Sequence, residues 1–339
     1  MRLSVLDQSP IGAGRSPADA IAETLDLARL CDALGYHRYW LAEHHSSDGL
    51  AGAAPEILIA RVAAETRHLR VGSGGVMLPH YAPLKVAEQF RMLETLFPGR
   101  IDLGIGRAPG SDGRTSLALQ PGPHAYGIER FPDQIADLVD WLRGKLPVGH
   151  PFAAVKAQPE GPTIPEVWVL GSSGESARYA AHFGLGFAHA HFISARGGAE
   201  ACLAYRRHFS PSPERTAPRA ALAVFALAAD TEAEAQRLAS SRDLWRLRLD
   251  QGAFGPVPSV AEAESHPYSD FERAQILRNR QRQTVGAPEQ VRARLEALAA
   301  EHEADELIVV SICHDPAARR RSYRLLAEAF ALGAHADAA

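Results

Sequence analysis

Two adjacent histidines are the side chains best suited to proton transfer near neutral pH. His44 and His45 follow the stretch 38–43, whose aromatic and apolar residues predict a β-strand that ends beside them. Adjacent side chains on a strand point to opposite faces, so joint metal ligation by the pair is disfavoured and we predict no metal site. A single imidazole at a strand end is placed to act as an acid or a base. The alternative is that one histidine makes structural hydrogen bonds while the other caps the loop.

A turn rich in glycine and serine is suited to binding a phosphate group. It joins a predicted strand to a predicted helix and consists of Gly171, Ser172, Ser173, Gly174, Glu175 and Ser176. Glycine allows close backbone approach, and the serines and the free N–H groups of the helix start form an anion site. No Gly-Lys-Ser/Thr follows and the GxGxxG spacing is absent, so a terminal phosphate monoester fits better than a nucleoside triphosphate or a dinucleotide. The alternative is a tight turn with a serine cap.

Two further segments lie where predicted strands end. Arg107 directly follows the fourth strand and is placed for a charge-assisted contact to the same phosphate, although an isolated arginine is more often a surface ion pair. Gly74 and Gly75 lie where the third strand becomes a loop. Such glycines indicate unusual backbone dihedrals or close contact with a flat ligand, and the alternative is a bulge without function. Cys313 and His314 resemble a nucleophile pair, but adjacent residues diverge on a strand, which disfavours that role.

Strand-like and helix-like stretches alternate along the chain, and this order determines where those residues meet. Eight apolar stretches, each followed by an amphipathic helical stretch, predict a parallel α/β barrel. The predicted strands are 3–6, 38–43, 69–72, 101–105, 166–170, 186–190, 220–228 and 306–312. No change of composition divides the chain, so we predict a single (β/α)8 TIM-barrel domain over residues 1–339. In such barrels the chemistry lies where the strands end and the following loops begin.

The 339 residues exceed the roughly 250 that such a barrel requires. We assign the surplus to insertions near 107–125, 144–165 and 252–284. Within the last, the stretch 252–270 is predicted to be a Pro/Gly-rich loop at the mouth of the barrel. Long loops at such a place are often mobile and functional, so it is a candidate lid.

Composition excludes several classes of function. There are 36 Lys and Arg against 40 Asp and Glu, a net charge of −4, which leaves no basic excess for a nucleic-acid partner. The longest apolar run, 220–229, has ten residues where a membrane helix needs about 20, and no signal peptide is recognisable. Three widely separated cysteines offer neither a disulfide framework nor a CxxC metal spacing. We therefore expect a cytoplasmic protein with no membrane partner.

Taken together, several segments resemble the bacterial-luciferase-like flavin monooxygenases. The strongest are 40–45 (WLAEHH), 71–79 (VGSGGVMLP) and 97–107 (FPGRIDLGIGR), and the turn 171–176 is a fourth. Each is moderately specific alone, but their order and spacing extend over nearly the whole chain.

The resemblance implies a role for each matching residue. It places a non-proline cis peptide at Gly74-Gly75 against a flavin ring, and assigns the flavin phosphate to Arg107, Glu175 and Ser176. Because a carboxylate beside a phosphate is repulsive, we expect Glu175 to use its backbone N–H or to pair with Arg107. His44 matches the catalytic histidine. The reactive cysteine of the luciferase is replaced by Gly106, so light emission is not implied.

The resemblance also implies the reaction. FMN, reduced by a separate flavin reductase that is a transient partner, would react with O2 to give a flavin C4a-hydroperoxide. His44 would be the acid or base, and a homodimer is expected through helices near the second and third strands. The substrate is expected to be a small apolar carbonyl compound or secondary metabolite, because the mouth offers the lining residues Met77, Tyr81, Phe192, Phe254 and Tyr268.

Three alternatives remain. Sister members of the same barrel use a deazaflavin, F420, to transfer hydride without O2, and others bind flavin without turnover. A more remote alternative is a phosphate-binding barrel lyase or isomerase, which would bind no FMN.

Overall fold

The strands and helices of the computed structural model alternate as the sequence predicts. It describes residues 1–108, 110, 112–120 and 127–334. The strands are β1 (Arg2–Asp7), β2 (Arg38–Leu41), β3 (Arg70–Met77), β4 (Ile101–Gly106), β5 (Glu166–Gly171), β6 (Gly186–Ala190), β7 (Ala220–Ala228), β8 (Gln283–Gly286) and β9 (Glu306–Val310). The α-helices are α1 (Pro17–Ala33), α2 (Pro55–Glu65), α3 (Pro83–Leu96), α4 (Gly113–Leu119), α5 (Phe131–Arg143), α6 (Gly174–Phe183), α7 (Gly198–Arg207), α8 (Glu232–Asp250), α9 (Val260–Ser265), α10 (Asp270–Arg280), α11 (Pro288–Glu301) and α12 (Pro316–Ala329).

Eight of the strands close into a parallel barrel. β1 to β7 pair in chain order, β7 pairs with β9, and β9 pairs with β1, which completes the ring. Val5, for example, lies opposite Tyr39 and Val309, and the register shifts once between β3 and β4, at Gly74–Val76. The closed parallel barrel surrounded by helices confirms the predicted (β/α)8 fold.

Local sequence signals explain where many of the helices begin. The hydroxyl of Ser16 accepts a hydrogen bond from the backbone N–H of Asp19, whose carboxylate accepts one in return from Ser16, and Pro17 is the first helical residue. This reciprocal cap satisfies donors that a helix start otherwise leaves free. Ser269 and Glu272 form the same box at the start of α10. These starts follow from a few neighbouring residues and were therefore predictable.

The ninth strand, β8, was not predicted. Its four residues pair with the carboxyl-terminal half of β7, from Phe225 opposite Gln283 to Ala228 opposite Gly286. The sequence QTVG is short, half polar and without alternation, so it carries no strand signal of its own. It becomes extended only because the long strand β7 extends beyond its contacts with β6 and β9.

An apolar layer covers each face of the barrel strands. One lies between the barrel and the helices and includes Val71, Leu103 and Phe90. The other fills the barrel interior, where Trp40 and Trp168 meet edge to face with ring centroids 5.5 Å apart. Strands buried on both faces explain why β7 is apolar throughout its length.

A buried charge network closes the amino end of the barrel. The guanidinium of Arg38, fully buried, donates to Asp102 Oδ2 at 2.6 Å and to Glu306 Oε1 at 2.9 Å. Ser4 donates to the same carboxylate of Glu306 at 2.5 Å. Buried charges are tolerated when they are paired and hydrogen-bonded in this way. The network closes the barrel interior at this end, and a separate cleft of about 380 Å³ lies outside it, lined among others by Arg70, Glu166, Arg215 and Arg219.

The three predicted insertions differ in character. The segment 107–125 contains α4, and its residues 109, 111 and 121–125 lie outside the described part of the chain. The segment 144–165 runs without helix or strand, and is anchored where Arg91 donates to the carbonyl of Pro159 at 2.7 Å. The stretch 252–270, predicted to be a loop, contains the short helix α9, whose Ala263 packs on Leu244 and Leu247 of α8. Among the described residues no helix is long and apolar enough to span a membrane.

Candidate active site

Two adjoining cavities open at the carboxyl end of the barrel. We call the first, of about 380 Å³, the inner cavity, and the second, of about 570 Å³, the outer cavity. The inner cavity is lined among others by Leu6, Trp40, Gly74, Gly75, Gly106, Arg107, Leu170, Gly171, Ser172, Ser173, Ser176 and Ala223. The outer cavity is lined among others by Gln8, His44, His45, Ser46, Asp112, Arg242, Trp245, Arg246, Phe254 and Arg282. Phe192 and Ile193 line both, so the two spaces share a wall.

The floor of the inner cavity is apolar and comes from the barrel strands. Leu6, Trp40 and Ile308 are buried side chains of β1, β2 and β9. Ala188 and Ala223, on β6 and β7, are small, which leaves room above them. An apolar floor beneath a few convergent polar groups is the usual composition of a cofactor site, and a volume of about 380 Å³ is within the common range.

Two glycines form one edge of the inner cavity, at the end of β3. The peptide bond between Gly74 and Gly75 is cis, which confirms the geometry that the resemblance implied. A Cβ at Gly74 would lie 2.6 Å from Leu6 Cδ1 and 3.0 Å from Trp40 Cβ. A Cβ at Gly75 would lie 2.7 Å from the carbonyl oxygen of Gly104. A side chain at Gly75 would clash with backbone and one at Gly74 would displace Leu6, so the backbone itself forms the cavity wall.

The turn between β5 and α6 supplies the polar end of the inner cavity. Ser173 precedes the first turn of α6, and no side chain caps that turn, so its N–H groups remain available to a ligand. Ser172, Ser173 and Ser176 line the cavity beside them. A helix start with uncapped donors favours a negatively charged group.

Arg107 stands at the same end of the cavity, paired with Glu175. The guanidinium donates to Glu175 Oε2, while Tyr179 donates to Glu175 Oε1 at 2.8 Å. The hydrogen bond from Tyr179, followed by the one from Arg107, lowers the pKa of Glu175. The expectation that Glu175 pairs with Arg107 is thus confirmed. The pair joins the residue that follows β4 to the first turn of α6, at one edge of the inner cavity.

His44 lies in the outer cavity and does not line the inner one. Burial, and next the neighbouring His45, lower the pKa of His44 to about 4. Its Nδ1 is shielded from solvent and has no hydrogen-bond partner. The imidazole is therefore neutral near pH 7.

His44 and His45, predicted to diverge, both line the outer cavity, where His45 turns toward Glu43. β2 ends at Leu41, so strand alternation no longer applies to the histidines. Among the described residues there is no cluster of three or more His, Cys, Asp or Glu that could hold an ion.

Glu43 is a residue of this site that the sequence analysis missed. Its carboxylate is buried and accepts hydrogen bonds from His45 Nε2 at 2.7 Å, Tyr81 Oη at 2.7 Å and the backbone N–H of Met77 at 3.0 Å. An acidic residue at the end of an apolar strand could have indicated this site. A carboxylate buried there must accept hydrogen bonds from several donors, so polar groups have to gather around it. Glu43 holds together the segments around both cavities.

Three arginines of the outer cavity were also missed. Arg242 and Arg246 lie one turn apart on α8, and Arg282 directly precedes β8. Their sequence context is an ordinary charged helix, so only the packing of α8 over the barrel mouth places them in a cavity.

The predicted lining residues separate into two groups. Met77 lines the inner cavity, Phe254 the outer one and Phe192 both. Tyr81 instead donates to Glu43, and Tyr268 packs against the small cluster between α8 and α9.

Cys313 and His314 do not form a nucleophile pair. The thiol of Cys313 donates to the carbonyl of Asp315, and burial raises its pKa to about 12. His314 Nε2 is 3.0 Å from the carbonyl oxygen of Ala13. A protonated, buried thiol is a poor nucleophile.

Comparison with known proteins places this barrel in a family. The profile of the luciferase-like monooxygenases matches residues 1–305. The chain belongs to the luciferase-like monooxygenase family. Within that family it is 42% identical, over 95% of both chains, to a protein named luciferase-like monooxygenase from Escherichia coli. It is 37% identical, over 97% of this chain and 98% of the other, to the N-acetyl-S-alkylcysteine monooxygenase of Bacillus subtilis.

Three solved structures share the fold of this chain. Apo-MsnO8 superimposes with a TM-score of 0.91 at 42% identity, over 98% of this chain and 99% of that one. The oxygenating component of 3,6-diketocamphane monooxygenase from Pseudomonas putida, solved with FMN, gives 0.70 at 21% identity over 97% of both chains. An F420-dependent secondary alcohol dehydrogenase, solved with an F420–acetone adduct, also gives 0.70, at 11% identity over 97% and 98%. The last two likenesses concern the fold alone.

Proposed function

We propose that this protein is the oxygenating component of a two-component FMN-dependent monooxygenase. It would receive reduced FMN from a separate flavin reductase and use O2 to oxygenate a small organic substrate. The observation that carries the proposal is the inner cavity, which has an apolar floor at one end and an anion-binding helix start with Arg107 at the other. FMN has the matching polarity, a flat ring joined through a ribityl chain to a phosphate.

The residues present fit that cofactor. The ring would lie over Leu6 and Ala223, with the backbone of Gly74 and Gly75 at its edge, where no side chain has room. The phosphate would lie at the start of α6, held by Arg107, by the hydroxyls of Ser172, Ser173 and Ser176, and by the backbone N–H groups of Gly174 and Glu175, close to Gly171. When bound, reduced FMN supplies the electrons that activate O2, so that one oxygen atom enters the substrate.

The substrate would occupy the outer cavity. Phe192 and Ile193 line both cavities, so a molecule in the outer cavity lies next to whatever fills the inner one. Trp245 and Phe254 make part of the outer wall apolar and help to exclude water from the reacting groups. We assign proton transfer to His44, which is neutral near pH 7 and can therefore accept a proton and return it.

The supply of cofactor and the assembly of the protein complete the proposal. Reduced flavin would come from a reductase that binds transiently, and the protein would work in the cytoplasm as a homodimer. The exposed apolar side chains of Ile57 on α2, and of Met92 and Leu96 on α3, support a dimer surface at these two helices. Large apolar side chains grouped on one surface commonly mark a protein–protein contact.

Binding measurements followed by turnover test the proposal. The purified protein is titrated with FMN and with F420, and then supplied with NADH, a flavin reductase and a panel of carbonyl compounds. We expect tighter binding of FMN and oxygen uptake that is matched by oxygenated product. Preference for F420 with hydride transfer and no oxygen uptake would indicate the deazaflavin alternative. FMN binding with only peroxide release across the panel would favour a non-catalytic flavin-binding protein, and no FMN binding would favour a lyase or isomerase.

A further inference from the structure

The most unusual charge in the outer cavity is that of Arg242. Its side chain is only 9% exposed, and its Nε is shielded from solvent without any hydrogen-bond partner. The guanidinium lies over the ring of Phe225, 4.0 Å from the centroid. This cation–π contact stabilises the positive charge but occupies none of its N–H donors. A buried guanidinium with free donors is costly unless an acceptor reaches it.

The neighbouring carboxylates do not serve that purpose. Asp243, next in sequence, is buried and its charge raises the pKa of Arg242, but its carboxylate oxygens accept hydrogen bonds from Arg280 and Gln283 and none from Arg242. Asp250 pairs with Arg246. Within the described part of the chain no carboxylate forms an ion pair with Arg242. The donors of Arg242 are therefore left for a molecule that enters the cavity.

Two more arginines strengthen the positive field around Arg242. Arg246 and Arg282 line the same cavity, and both lie close enough to lower the pKa of Arg242, although burial is the larger cause. The guanidinium of Arg282 is held by the carbonyl of Ile193 and the side-chain oxygen of Asn279, neither of which carries a charge. Asp112 is the single carboxylate among the described lining residues, so arginines outnumber acids in the cavity.

We infer that the outer cavity binds a substrate that carries a carboxylate, with Arg242 as the residue that receives it. The planar guanidinium fork matches the two oxygens of a carboxylate, and a site shielded from water strengthens the contact. Trp245, Leu249 and Phe254 line the same cavity and would pack against an apolar remainder of the substrate. The inference rests on the proposed function, because it takes the outer cavity as the substrate site. It is distinct from the phosphate end of the inner cavity, which Arg242 does not line.

Calorimetry with two matched probes tests the inference. Flavin-free protein is titrated with 4-phenylbutyrate and with 4-phenylbutan-1-ol, which differ only in the charged group. The acid should bind about tenfold tighter or more, as charge-assisted hydrogen bonds would give, and added salt should weaken its binding selectively. Arg242→Met should remove the preference by weakening the acid alone, whereas Arg242→Lys should keep much of it. Arg237→Met, on the exposed face of the same helix, should change neither affinity.

Each other outcome overturns the inference. The inference fails if the protein binds acid and alcohol with equal affinity, or if it does not bind the acid at millimolar concentration. It also fails if Arg242→Met keeps the wild-type preference for the acid. Loss of the preference in Arg107→Met would also overturn it, because the acid would then occupy the inner cavity. If circular dichroism shows that Arg242→Met is unfolded, Arg242→Gln takes its place with the same expected loss. FMN titration run in parallel separates the two proposals, since a protein that binds the acid but not FMN retains the carboxylate site and loses the proposed function.

Discussion

The carboxylate of Glu43 accepts a hydrogen bond from the backbone N–H of Met77 at 3.0 Å, which ties the end of β2 to the end of β3. The first of these ends carries His44, and the second carries Gly74 and Gly75. The same carboxylate also accepts from Tyr81 and His45. One buried side chain thus sets the position of the proposed proton-transfer residue relative to the proposed flavin-ring wall.

Replacing Glu43 with Gln should loosen both segments. The amide has a single acceptor oxygen and would turn its NH2 group toward a donor, which leaves polar groups unsatisfied. We expect the free energy of unfolding to fall by about 1–3 kcal/mol, the usual cost of such a loss, and the affinity for FMN to fall with it. Urea unfolding and flavin titration measure the two effects. Glu264→Gln, at an exposed position on α9, is the control, and equal stability of both variants would contradict the assigned role.

His44→Ala should separate catalysis from cofactor binding. His44 lines the outer cavity only, so FMN affinity should be essentially unchanged. The turnover number should fall by about 10²- to 10⁴-fold, as expected when a positioned acid or base is removed. Stopped-flow and steady-state assays measure the rate, with His208→Ala, an exposed histidine, as the matched control. Full activity of His44→Ala would reject proton transfer by this residue.

Arg107→Met should weaken the binding of FMN but not of riboflavin, which lacks the phosphate. Charge-assisted hydrogen bonds contribute about 1.5–3 kcal/mol, so FMN affinity should fall by about 10- to 100-fold. Fluorescence titration with both flavins measures the difference, and Arg178→Met, exposed on α6, provides the control. An equal loss for the two flavins would show that Arg107 does not contact the phosphate.

Ile57→Glu and Met92→Glu should convert the expected dimer into a monomer. Both side chains are at least half exposed, at 68% and 50%, on neighbouring helices, and a buried charge there would oppose association. Sedimentation velocity of the wild-type and variant proteins measures the mass. Leu277→Glu, at a similarly exposed apolar position on α10, should leave the mass unchanged. A monomeric wild-type protein would exclude the dimer directly.

Buried histidines should make the protein less stable in mild acid. Burial is the main cause that lowers the pKa of His37, His44 and His191 to about 4, from 6.5. Between these values the unfolded chain binds more protons than the folded one, so stability is complete above pH 6.5 and is lost as the pH falls toward 4. A shielded histidine such as His191 contributes a slope of at most about 1.4 kcal/mol per pH unit within that window, and the half-buried His37 contributes less.

Urea unfolding between pH 7 and pH 4 measures this loss. In His191→Asn the slope of the free energy of unfolding against pH should decrease by the amount that corresponds to about one bound proton. In His208→Ala it should stay as in the wild type. A stability that is constant down to pH 4 would mean that these imidazoles do not remain neutral in the folded protein.

The fold and the polar end of the inner cavity were largely predictable from the sequence. Each strand that closes the barrel carries its own apolar run, and several helices carry their own caps, as Ser16 and Ser269 do. The position of Arg107 after β4 and the glycine–serine turn after β5 likewise depend on a few neighbouring residues. In a parallel barrel all such strand ends meet at one rim, so the order of elements was enough to bring them together.

The outer cavity could not be predicted in this way. Arg242 becomes a buried, unpaired cation only because α8 packs over the mouth beside Phe225, and β8 forms only because β7 extends past its other neighbours. His44 and His45 share a cavity because β2 ends before them.

The sequence by itself thus determined the barrel, the rim residues and the family resemblance, since short-range periodicity and chain order carry that information. Only the tertiary structure decided the partners of Glu43, the pairing of Arg107 with Glu175 and the charge of the outer cavity. The physical reason is that hydrogen bonds and burial depend on distances between residues far apart in the chain. Local patterns leave those distances open, and side-chain packing at the carboxyl end of the barrel sets them.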